Sequence, residues 1–118
     1  MPLVQTRGAA SAQGFGEFAQ AAVPIYIEDV FSTFLYTGAY TEVTVNNGIN
    51  LAGKGGMVWL KPRSAGDHIL QDSARGINYG INSNTTSAQQ NYGAVTSFTS
   101  TGFTDGQGAN GINNVSWT

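Results

Sequence analysis

The chain has 118 residues and a net charge of −2, and only 10% of its residues are charged, against a globular norm of about 25%. Five basic residues cannot line a phosphate-tracking groove, which excludes a nucleic-acid partner, and zero cysteines exclude disulfides and thiolate metal sites. No apolar run approaches the roughly 18 residues needed to cross a bilayer, so membrane insertion is not expected.

Sixteen glycines, together with abundant Asn, Thr and Ser, oppose helix and favour short strands joined by many turns. Residues 1–23 stand apart. They are rich in Gly, Ala and Gln, lack the apolar h-region of a signal peptide, and have too few apolar residues for a core of their own. They read as an extended arm, mobile in the isolated protein, that docks on a partner through Phe15 and Phe18. Without such a signal, production in a cytoplasm is the expectation.

Residues 24–118 read as the folded domain. Ile25–Ile27, Val30–Phe31 and Phe34–Tyr36 have strand character, and Tyr40–Val45 alternates so that Thr41, Val43 and Val45 share one face. Asn46-Asn47-Gly48 predicts a tight hairpin, with Ile49–Leu51 as the returning strand. Met57-Val58-Trp59-Leu60 is an unbroken apolar run between glycines and Pro62. That pattern predicts a central strand buried on both faces, with Trp59 anchoring a core of Ile49, Leu51, Val58 and Leu60, and Trp117 and Phe103 close by. Further strands are expected at 68–71, 77–81, from Val95, at 102–104 and at 115–117, with 82–94 as a surface loop and a Gly/Asn-rich loop at 105–111. Turn signals thus recur roughly every 8 to 12 residues, the spacing of a β-sandwich or barrel.

Little here carries chemistry. Gly48–Gly55 approaches the phosphate-loop pattern, but Gly55 replaces the hydroxyl residue and a strand follows where a helix is required. His68, beside Asp67 and near Asp72, is the sole histidine, and there is no nucleophile elbow. Asp67, Asp72 and Asp105 fall in expected loops and read as turn formers rather than calcium ligands. Arg63 and Arg75 are placed to pair with Asp67 or Asp72.

Phe34–Gly38, Asn47–Ser64, His68–Gly76, Phe98–Thr104 and Val115–Thr118 occur in an order that resembles an uncharacterised β domain of structural and tail-fibre-like proteins of marine bacteriophages. The resemblance covers the chain from about Phe31 onward. It implies a virion component, made in the host cytoplasm, with no catalytic residues, no metal and no cofactor. Its partners would be other tail, head or neck proteins and further copies of itself, as a homotrimer. Gly102-Phe-Thr104 and the terminal Ser116-Trp117 are similar to elements of lectin-like jelly rolls. In the family the last strand continues beyond Ser-Trp-Thr, so further sequence or a partner is expected to complete that end. The expectation is an all-β, antiparallel, jelly-roll-like sandwich with an N-terminal arm, non-enzymatic, serving as a tail or head fibre or its adaptor. The alternative is a carbohydrate-binding receptor module with a platform of Tyr79, Tyr92 and Trp117.

Overall fold

The computed structural model describes residues 22–106 and 113–118. Among these residues nine strands form two antiparallel sheets. In chain order they are β1 (Thr33–Thr37), β2 (Val43–Asn46), β3 (Met57–Pro62), β4 (Ile69–Asp72), β5 (Tyr79–Asn82), β6 (Gln90–Asn91), β7 (Val95–Thr99), β8 (Gly102–Asp105) and β9 (Asn113–Trp117). The larger sheet runs β1-β9-β3-β4-β5-β6 and the smaller β2-β8-β7. The first strand pairs with the last, the second with the eighth, and the third again with the last. That nesting is the jelly-roll element of the fold. Between its ends the chain departs from it, meandering through β3, β4, β5 and β6 within one sheet.

Period-two alternation decides what each strand contributes to the space between the sheets. Val58 and Leu60 of β3, Val45 of β2, Val95 of β7 and Phe103 of β8 are buried there with Ile49, Leu51 and Ala94. Phe34, Tyr36, Ile69, Tyr92 and Phe98 pack around them. So few large apolar residues leave room that polar side chains fill. Gln71, Asn82, Asp105, Asn114 and Ser116 are all buried. Gln71 imitates a strand residue with its side chain. Its Oε1 accepts the Val95 N–H at 2.8 Å and its Nε2 donates to the Val95 carbonyl at 3.4 Å, which ties the larger sheet to the smaller.

Several expectations change at this point. Met57–Pro62 is a central strand, but it is buried on one face only: Val58 and Leu60 point inward, while Trp59 is half-buried on the outer face. Trp59 therefore does not anchor the core. Phe103, with no exposed surface, takes that position. The turn at Asn47-Gly48 exists, with Gly48 at φ 89°, and both N–H groups donate to the Thr101 carbonyl. It does not return as a hairpin, because β2 pairs with β8 and the chain crosses to the other sheet. Residues Leu51–Lys54 form a single helical turn (α1) rather than a strand. Asn50 caps it by accepting the Gly53 N–H at 2.8 Å, and Gly55 closes it at φ 74°. The turn drives Leu51 into the core.

Elsewhere, Ile27–Asp29 is one 3-10 turn where the sequence predicts a strand, held by the Asp29 carboxylate accepting the Tyr26 N–H. The expected loop at 82–94 contains β6, and Asp105 ends β8 in the core instead of opening a loop.

Candidate functional site

The outer face of the larger sheet is unusual for a surface meant only for water. Trp117 of β9 stands directly opposite Trp59 of β3, which stands opposite Leu70 of β4, which stands opposite Ile81 of β5. One apolar row therefore crosses four adjacent strands. The two indole rings lie 4.7 Å apart at 32° to each other. Trp59 Nε1 donates to Ser83 Oγ at 3.0 Å, which fixes that ring. Half-exposed Met57 and Tyr79, and Leu35 at 61% exposure, extend the apolar face. An antiparallel sheet with one solvated face normally alternates apolar-in and polar-out. Here the outer face carries an apolar row as well.

The proposed glycan platform divides accordingly. Trp117 and Tyr79 share the outer face, three strands apart, with Trp59 as the real neighbour of Trp117. Tyr92 packs against the core instead, its ring close to Gly80 on the inner face. The trio does not form one platform. Phe15 and Phe18 lie outside the described residues.

A second feature sits at one end of the sandwich. The segment Ala22–Phe31 passes α1 and the start of β3 and leaves a cleft of about 500 Å³. Val23, Ile25, Ile49, Leu51 and Met57 give it an apolar lining, with Lys54 and Asp29 at its margin. The segment buries little of itself: Val23, Ile25, Tyr26, Ile27, Val30 and Phe31 are 50–85% exposed.

The residues with chemical potential are scattered. His68 contributes its backbone, N–H to Asn84 Oδ1 at 2.9 Å and carbonyl to the Ser83 N–H at 2.8 Å. Arg75 pairs with Asp72 at 2.9 Å, as the sequence suggested, and reaches Gln89. The phosphate-loop look-alike is α1 followed by β3, a one-turn helix and a strand where the pattern requires a long helix. Among the described residues no group of three His, Asp or Glu converges to hold a metal.

Sequence reasoning missed one pair. Tyr36 of β1 donates its phenol hydrogen to Asp105 Oδ2 at 2.8 Å, linking the two sheets inside the core. Asp105 is wholly buried, and its Oδ1 has no partner among the described residues. Burial raises its carboxyl from 3.8 to about 6, and the Tyr36 hydrogen bond pulls the other way. Burial, then the adjacent carboxylate, pushes the Tyr36 phenol far above its usual range. The pair joins residues 69 positions apart, and the only sequence signal was an acidic residue ending the Gly-Phe-Thr strand.

These features define a class, an all-β protein whose two antiparallel sheets form a sandwich with an apolar outer face. The chain belongs to the family described as a domain of unknown function (DUF7483), whose model matches residues 27–118. No curated protein and no solved structure matches it.

Proposed function

We propose that the protein is a non-catalytic structural component of a bacteriophage particle, a tail or head fibre or a fibre adaptor, attached to neighbouring virion proteins through its N-terminal region. The observation that carries this reading is the apolar segment 22–31, which leads into β1 with six large side chains mostly in solvent. A segment of this kind gains by docking, since each apolar side chain taken fully out of water contributes about 1.5–3 kcal/mol. The order of motifs from Phe31 onward supplies the virion context. The test uses particles that carry the protein: antibody against it should label them, and a chain with Ile25→Ser and Ile27→Ser should fold normally yet fail to enter them. Normal incorporation of that variant sinks the reading.

The second reading, a receptor-binding module for cell-surface glycans, is favoured by the Trp59–Trp117 stack, since indole faces are the usual floor of a sugar site. Glycan-array binding that is lost in Trp117→Ala would support it over the first.

A further inference from the structure

The first strand carries an interaction surface of its own. Among the described residues β1 is the outermost strand of the larger sheet, paired only with β9. The phase of that pairing is fixed at its end, where Ser32 N–H donates to the Thr118 carbonyl at 3.0 Å and Thr118 N–H returns to the Ser32 carbonyl at 2.9 Å. In an antiparallel ladder such reciprocal pairs recur at every second residue. Phe34 (opposite Ser116) and Tyr36 (opposite Asn114) therefore turn their main-chain groups toward β9. Thr33, Leu35 and Thr37 turn theirs toward the open edge.

Exposed edges are normally blunted by Pro, charge, a bulge or shortness. The other edges of this fold comply: β6 has two residues, β7 carries a register shift between Val95 and Ser97, and β2 is preceded by Glu42. Among the described residues β1 has no such protection. Its sequence, Thr33-Phe34-Leu35-Tyr36-Thr37, is also a near-palindrome about Leu35. A twofold axis at Leu35 makes every cross-strand pair like with like, Leu35 against Leu35, Thr33 against Thr37 and Phe34 against Tyr36. Apolar, aromatic and Thr–Thr pairs are the favourable cross-strand combinations.

We propose that β1 pairs antiparallel with β1 of a second copy of this chain, joining the two larger sheets edge to edge across a twofold axis at Leu35. The outward groups of Thr33, Leu35 and Thr37 are in the right phase for this register and form about six main-chain hydrogen bonds with their counterparts. Exposed Val30 and Phe31 precede the strand and exposed Tyr40 follows it, so antiparallel pairing sets one end of each copy beside the other end of its mate. An isologous contact must be self-complementary, and this strand is. The symmetry is two, where the family resemblance implies three, and the contact stands whatever particle or surface the protein serves.

Sedimentation equilibrium and residue-resolved amide exchange on the wild-type chain test this together. A dimer is expected, with slow exchange at Thr33, Leu35 and Thr37 as well as at Phe34 and Tyr36. Leu35→Lys sets two ammonium groups opposite each other and should weaken the dimer about a hundredfold with the fold retained. Mixing it with Leu35→Glu should restore pairing. A monomer or trimer overturns the proposal, as does a dimer indifferent to Leu35→Lys. Should that variant not fold, the wild-type exchange pattern decides alone, with fast exchange at Thr33, Leu35 and Thr37 refuting the contact.

Discussion

Replacing Asp105 by Asn isolates what a buried carboxyl does to this domain. The two side chains have nearly the same shape, so Asp105→Asn removes the ionisable group and exchanges one oxygen for an amide nitrogen while leaving the packing alone. In the folded protein burial raises the Asp105 carboxyl from 3.8 to about 6. A group whose folded value lies above its unfolded value contributes stability that is fully present below the unfolded value and lost as pH rises through the folded one. From 3.8 to about 6, the full loss is about 3 kcal/mol, of which about 2.4 kcal/mol falls between pH 4 and pH 7.5. Asn cannot ionise, so the variant should not suffer it. Its amide nitrogen must occupy the position of Oδ1, which has no partner among the described residues, at a cost of about 1–3 kcal/mol at any pH. The expectation is a variant less stable than wild type at pH 4 and equal to it or better at pH 7.5. Urea unfolding followed by tryptophan fluorescence, repeated from pH 4 to pH 8, reads the difference directly. Parallel stability profiles for the two proteins would refute a buried Asp105 carboxyl raised above its usual range.

Tyr36→Phe removes the hydrogen bond that Asp105 accepts, and should cost about 1.5–3 kcal/mol at neutral pH while moving the wild-type pH transition upward; the same urea series measures both. Gln71→Leu strips the Val95 N–H of its 2.8 Å acceptor inside the core, and thermal unfolding should register a loss of about 1–3 kcal/mol. Phe103→Ala should cost about 3–5 kcal/mol, and Trp59→Ala, half-buried on the outer face, only about 1–2 kcal/mol. Equal costs, or a Trp59 wholly shielded from acrylamide, would put the indole back in the core.

The sequence made the strands legible where glycine and proline punctuate them. Met57–Pro62 lies where the three glycines and the proline placed it, and the all-β sandwich followed from the spacing of the turns. Which face a side chain takes was harder to read. Four apolar residues in a row do not declare an alternation, and Trp59 is half-covered only because Trp117, 58 positions later, lands beside it. Asn47-Gly48 announced a turn from local chemistry, but local chemistry says nothing about which strand receives the chain, and β8 is distant in sequence. Asp105 read as a turn former because acidic residues beside glycine usually are. Its partner Tyr36 enters the core from the opposite end of the chain. The candidate surfaces were legible only in part, since Trp117 and Tyr79 share a face that Tyr92 leaves.

The position of β9 between β1 and β3 bears on how the protein is made. On a ribosome, residues 113–117 emerge after the other eight strands, yet they supply the strand that joins β1 to the rest of the larger sheet. Until they arrive, β1 has no partner and the meander beginning at β3 lacks its inner neighbour, leaving Val58 and Leu60 short of cover. Closure must await a contact between strands some 80 residues apart in sequence, the kind of long-range pairing that places all-β domains at the slow end of folding, from milliseconds to seconds. During that interval the nascent chain offers an apolar strand edge on each side of the gap, one belonging to β1 and one to β3, and the arrival of β9 seals both.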